Sequence, residues 1–282
     1  MSLSEPAKNT EPRQSFLEAT TWAPVDTNRF AGHVDGSWGQ GRSVYGGVVG
    51  AGMVRASRHH VPEGRELRSA SVAFVGPVVA GALECETEVI REGKSASFVV
   101  AKLVQEGTTR ALATTTYALA RHSSVPVAGP PRPETTPVES VHSLPYIDGL
   151  MPPFTQWLET RYTEGNHPFS GSDSSSIAGW FRFREDALPV DDAAMFGLID
   201  AWPSPALSML RMPVPGSSIT WNVDLLAARP DCRLDEWWYF RAESSFVSDG
   251  YTSFDASLWA PDGQFVARSR QLAGIFERPP AG

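Results

Sequence analysis

No hydrophobic run in this 282-residue sequence approaches the roughly 20 apolar residues that cross a bilayer, which excludes a transmembrane helix. The opening stretch MSLSEPAKNTEPRQ has no apolar centre and does not read as a secretory signal. Cysteine is scarce. Only Cys85 and Cys232 are present, and without an export signal they read as two reduced thiols rather than a bridge. Positive charge is in deficit: 24 Lys and Arg against 32 Asp and Glu give a net charge of −8, which argues against generic nucleic-acid binding. These absences predict a cytoplasmic protein with neither a nucleic-acid nor a membrane partner.

The common catalytic signatures are missing too. There is no GxSxG elbow, no GxxxxGK phosphate loop and no HExxH. Gly50–Arg55 fails as a dinucleotide fingerprint because Arg55 stands where the third glycine belongs. His59 and His60 are adjacent, and on a helix such neighbours diverge by about 100°, too far to face one ion. No metal and no cofactor is expected.

What is present suffices for a packed protein. Apolar residues make up 41% and charged residues 20%, and the length fits two units of roughly 100–150 residues each. Composition breaks at His122–Pro145, where prolines 126, 130, 131, 133 and 137 remove amide donors and fix φ. The expected organisation is a mobile tail over 1–20, a first unit over 21–121, a proline-rich linker over 122–149 and a second unit over 150–282.

Each unit reads as a buried helix followed by four strands. In the first, Val44–His60 is apolar on nearly all sides up to Arg55 and stops before Pro62. Its glycines are poor helix formers and make sense where another group approaches the backbone closely. Strands are predicted over 68–75, 82–91, 95–105 and 108–120, with turns at Gly93 and Glu106-Gly107. In the second, a short strand over 179–184 precedes a helix over 191–202, opened by Asp191 or Asp192 and broken by Pro203 and Pro205. Strands follow over 218–227, 237–247, 253–260 and 264–276. The units overlay at an offset of 156, with Ser97-Phe98 on Ser253-Phe254, Ala111 on Ala267 and Thr115 on Gln271. An internal duplication of one α+β unit is the expected architecture.

One polar residue stands out. Asp200 lies among Phe196, Leu198, Ile199 and Trp202, where an unpartnered carboxylate costs several kcal/mol. It reads either as a cap for the following segment or as a desolvated base whose pKa burial raises. Strict alternation over 218–225 puts Ser218, Thr220, Asn222 and Asp224 on one face, away from Ile219, Trp221, Val223 and Leu225. Gln271 shares a face with Phe265, Ala267, Ser269 and Ala273, and the small residues around it would let a helix pack close over its amide.

The stretch from Ile219 to Gln271 resembles the C-terminal half of the acyl-CoA thioesterase II family, the double hotdog thioesterases. The match rests on the Thr-containing strand, the Arg229-Pro230 turn, Asp235-Glu236-Trp237 and the final DGQFVARSRQ. Upstream, Leu198-Ile199-Asp200 with Pro203 and Pro205 looks like the helix bearing the family's aspartate. Gly41-Arg42 with Tyr45-Gly46-Gly47-Val48-Val49 looks like its first hotdog helix. The resemblance implies an α+β tandem hotdog, with two antiparallel sheets each wrapping a central helix and pairing edge to edge. It implies hydrolysis of acyl-CoA by a water that Asp200, Thr220 and Gln271 hold and activate, and assembly into homodimers or larger homo-oligomers. Backbone amides near Gly46 and Gly47 would receive the oxyanion. The alternative is a non-hydrolytic relative, either a dehydratase or hydratase of acyl thioesters or a silent acyl-thioester binder. Because CoA is anionic, Arg229, Arg268 and Arg270 are candidates for a basic lip.

Overall fold

The computed structural model describes residues 13–184, 187–226 and 229–277. Among these residues four α-helices, α1 (Phe16–Thr20), α2 (Gly46–Arg58), α3 (Ala194–Ile199) and α4 (Ala206–Met209), accompany fourteen strands. Those of the first part are β1 (Ala23–Pro24), β2 (Arg29–Val34), β3 (Gly39–Gln40), β4 (Ser43–Val44), β5 (Glu66–Phe74), β6 (Gly81–Glu92), β7 (Ala96–Gln105) and β8 (Thr108–Ala118). The second part holds β9 (Leu158–Glu164), β10 (Ser176–Phe183), β11 (Gly216–Leu225), β12 (Trp238–Ser248), β13 (Tyr251–Trp259) and β14 (Phe265–Ile275). No helix of the described residues is long and apolar enough to cross a membrane.

Twelve of the strands form one antiparallel sheet in the order β1-β2-β6-β7-β8-β5-β11-β14-β13-β12-β10-β9, while β3 and β4 pair separately. Read outward from the central β5–β11 seam, the two flanks carry the same sequence of strands. β8, β7, β6 and β2 follow β5; β14, β13, β12 and β10 follow β11. Their irregularities match as well. A bulge between Leu67 and Ser69 on β5 answers one between Ser218 and Thr220 on β11. Another between Val89 and Arg91 on β6 answers one between Ser244 and Phe246 on β12. At the seam five pairs run from Thr220↔Ala73 to Asp224↔Ser69, centred on Ser71↔Asn222, where the Ser71 hydroxyl donates to Asn222 Oδ1 at 2.6 Å.

The constant overlay holds for β8 and β14 but slips on the preceding strand. Thr115 faces Val99 and Gln271 faces Phe254, so Val99, not Phe98, occupies the place of Phe254. The path from Phe254 to Gln271 is one residue longer than that from Val99 to Thr115, which restores the offset afterwards.

The two long-range helices meet in the middle of the core. Gly50 lets α2 approach α3 closely: a Cβ there would lie 2.6 Å from Phe196 and 3.0 Å from Trp221. At Gly52 a Cβ would overlap the Trp22 ring at 2.1 Å. Two expectations need correcting. The tail does not extend to residue 20, because Ser15 and Glu18 form a reciprocal capping box that starts α1. Phe16 and Ala19 then bury completely, with the Phe16 ring 5.7 Å from Trp38 and 5.3 Å from Phe183. Residues 1–12 lie outside the described residues. The second helix ends at Ile199 rather than 202, since Asp200 leaves helical geometry at φ −98° and prolines follow. It also begins at Ala194 rather than 191, with Ala193 at the N-cap, while Asp191 one turn earlier accepts the Ala194 N–H at 2.7 Å.

The proline-rich segment is irregular but not loose. It lies across the outer face of the C-terminal flank, where Trp180 donates to the Thr136 carbonyl at 2.9 Å and Trp259 to that of Pro130 at 3.0 Å. Arg132 stacks over the Trp180 ring at 4.8 Å. Beneath it Trp180, Tyr239, Trp259 and Phe265 form a second, smaller apolar cluster.

Candidate active site

The site is built where the end of α3 meets the start of α2. Asp200 is the residue immediately after α3, half-buried, with its carboxylate pointing at the first turn of α2. A negative group at a helix C-terminus is disfavoured, whereas at the N-terminus of a 13-residue helix it is stabilised. Gly46 makes the approach possible: a Cβ on it would stand 2.8 Å from Asp200 Oδ2 and 3.4 Å from Phe74 Cζ. Tyr45 locks the two helices in this relation. Its buried hydroxyl donates to the Gly197 carbonyl at 2.6 Å, and its ring stacks on Phe154 at 4.3 Å.

Gln271 is the second member. It is buried on the inner face of β14 and its Nε2 donates to Asp200 Oδ1 at 2.9 Å. Its Oε1 accepts from the Ser218 hydroxyl at 2.8 Å. The two contacts fix the amide's orientation, because a flipped amide would aim its oxygen at the carboxylate. Burial pushes the Asp200 pKa up to about 7, although the Gln271 amide and the Gly47 N–H both pull it back down. The result is a carboxyl group poised near neutrality, with one oxygen held by an amide and the other beside a helix start.

Thr220 does not join it. The bulge at Ile219 inserts one unpaired residue into β11 and reverses the parity beyond it. Ser218, opposite Ala273, therefore faces inward towards Gln271, while Thr220, opposite Leu272, is exposed on the outer face. Strict alternation had put both on one face. The twin hydroxyls Ser217-Ser218 are the only local sequence hint.

Asp200, Gln271, Gly46 and Gly47 thus converge; the proposed basic lip does not. Arg268 and Arg270 stand on the sheet face opposite Gln271, Arg270 paired with Asp255 at 3.0 Å and Arg268 over the Phe265 ring at 5.7 Å. Arg229 borders a cleft with Asp192 and Leu67. The matching positions on the N-terminal flank carry no second site. Thr115 replaces Gln271 and donates to the Val99 carbonyl at 3.1 Å, Leu67 replaces Ser218, and Tyr117 fills the place of Ala273. Among the described residues no group of three or more His, Cys, Asp or Glu is placed to hold a metal ion.

Comparison with known proteins supplies a context. A family model described as the acyl-CoA thioesterase C-terminal domain matches residues 128–275, and one described as the N-terminal domain matches residues 34–119. A search of curated proteins returns no match. Among solved structures, a conserved protein of unknown function with a hotdog fold from Alicyclobacillus acidocaldarius superposes with a TM-score of 0.84 at 22% identity, covering 94% of this chain and 98% of that one. An acyl-CoA thioesterase II from Mycobacterium marinum does so with a TM-score of 0.77 at 17% identity, covering 95% and 100%. At these identities the likeness establishes the hotdog fold alone.

Proposed function

Since the chain belongs to the acyl-CoA thioesterase family, we propose that it hydrolyses acyl-CoA to free acid and CoA at the site built around Asp200. The matched strand orders on either side of the β5–β11 seam support a tandem of two hotdog units, of which only the second keeps the reactive groups. The observation that carries the reading is the carboxylate held between Gln271 and the start of α2, with a pKa near neutrality.

Hydrolysis of a thioester needs a positioned water, a proton acceptor and donors for the oxyanion. In this mechanism the water bound to Asp200 attacks the thioester carbonyl carbon while its proton passes to the carboxylate. The Gly46 N–H, at the start of α2 and next to the Gly47 N–H that already holds Asp200, receives the negative oxygen. The tetrahedral intermediate collapses, the C–S bond breaks, and the departing thiolate takes the proton from Asp200. Atoms balance as acyl-CoA plus water giving acid plus CoA thiol. Gln271 orients the carboxylate and the water, and Ser218 takes the orienting part expected of Thr220 by holding the Gln271 amide.

The first test is release of free thiol from a panel of acyl-CoAs by the intact protein. No release from any of them overturns the proposal. A second separates the two hydroxyls. Ser218→Ala leaves Gln271 Oε1 unpaired and its amide free to turn, a loss of about 1–1.5 kcal/mol or roughly tenfold in kcat. Thr220→Val should stay within about twofold, because that side chain is exposed on the opposite face. Reversal of the two results would return Thr220 to the site.

A further inference from the structure

Asp200 Oδ2 has a neighbour that the chemistry above does not use. Phe74, the last residue of β5, comes from the N-terminal flank and packs, half-buried, against the main core. Its Cζ lies 3.4 Å from the point where a Gly46 Cβ would stand, and that point is 2.8 Å from the carboxylate oxygen. No more than about 6 Å therefore separates the ring tip from Asp200 Oδ2.

That distance limits what fits. A water hydrogen-bonded to the carboxylate occupies the first roughly 2.8 Å, and its attack on a carbonyl carbon takes place at about 3–3.5 Å. A ring tip this near the carboxylate is within reach of the carbons next to the thioester carbonyl, which lie closest to the reacting atom. We infer that Phe74 is a specificity-determining residue whose ring excludes substituents on the α-carbon of the acyl group, selecting unbranched acyl thioesters over α-branched ones. The inference rests on the proposed hydrolase reading and names the substrate class within it.

The matching position on the other flank strengthens the argument. Phe74 pairs with Ala111 and Leu225 with Ala267, so the two occupy equivalent places in the duplicated sheet. Leu225 borders a small crevice together with Leu67, Asp192 and Met195, and the Asp192 carboxylate there accepts the Leu67 N–H at 3.1 Å rather than a glutamine amide. An aliphatic side chain is thus compatible with the backbone geometry at this place. The aromatic ring stands only on the flank that faces Asp200.

The test compares kcat/KM for butyryl-CoA and 2-methylbutyryl-CoA in the intact wild-type protein, Phe74→Ala and Phe74→Leu, with Asp200→Asn alongside. Wild type should prefer the unbranched substrate. Phe74→Ala should shift the ratio towards the branched one by about tenfold or more, the scale on which a pocket discriminates one carbon. Phe74→Leu should move it part of the way. Equal losses on both substrates, a ratio unchanged within twofold, or a wild type indifferent to branching overturns the role of Phe74 while leaving hydrolysis intact. If Phe74→Ala does not fold, an unchanged ratio in folded Phe74→Leu has the same force. Undiminished hydrolysis in Asp200→Asn overturns the assigned site itself, and the Phe74 inference with it.

Discussion

Asp200→Asn is expected to lower turnover by about 10²–10⁴-fold, the range of a lost general base, while leaving the fold intact or firmer. The asparagine keeps the shape and can still meet Gln271 and the start of α2, but it cannot accept the proton of the attacking water. Gln271→Ala should cost less alone. Because both groups act on one water, the double variant should be little worse than Asp200→Asn. The pH dependence follows from the raised pKa. Wild-type kcat/KM should climb with pH and level off above about 7, where Asp200 is ionised. Stability runs the other way. The unfolded carboxyl loses its proton near pH 4, whereas the folded one keeps it to about 7, so stability falls as pH rises across that window. Asparagine has no such proton, and the urea midpoint of the variant should gain on that of wild type between about pH 4 and 7. Undiminished turnover with a lowered midpoint would make Asp200 a structural residue.

Phe16→Ala is expected to cost about 3–5 kcal/mol, the range for emptying a fully buried aromatic site. The ring contacts Trp38 and Phe183 and lies 2.6 Å from the place a Gly197 Cβ would take, so it closes the core directly behind the helix that ends at Asp200. Equilibrium urea unfolding measures the loss. A midpoint unchanged by the substitution would restore the mobile tail expected for this segment. Turnover at low urea should fall less than stability does, since Phe16 touches α3 rather than the reacting groups.

Long, regular elements were legible without coordinates because their signals are redundant. The helix over 46–58 shows a long apolar run that stops before Pro62, and the strands bounded by Glu106-Gly107 and Asp249-Gly250 combine apolar period with turn residues that adopt positive φ. Short elements carry too few positions for that. The strand Arg29–Val34 contains Gly32 and His33, and Leu158–Glu164 mixes charges with aromatics, so neither shows clean alternation. α1 was findable through Ser15 and Glu18, whose spacing is that of a capping box. Within the site, Asp200 and Gln271 were legible because each is polar amid apolar or small neighbours. Ser218 was not. A bulge adds one residue without any compositional mark, yet it exchanges the faces of every residue beyond it.

The hydrogen bond between Ser71 and Asn222 sits at the centre of the seam that joins the two flanks. In a pair of identical separate chains, a residue at that point would face its own copy, and its side chain would have to serve as donor and acceptor at once. In the proposed tandem, joining two copies in one polypeptide removes the restriction. Each position now has its own codon, so a serine can meet an asparagine. By the same freedom one flank can hold a glutamine for chemistry while its counterpart holds Thr115, bonded to its own sheet. A symmetric dimer must optimise every residue for two identical settings; a fused pair can let one half specialise in holding shape and the other in turning over substrate.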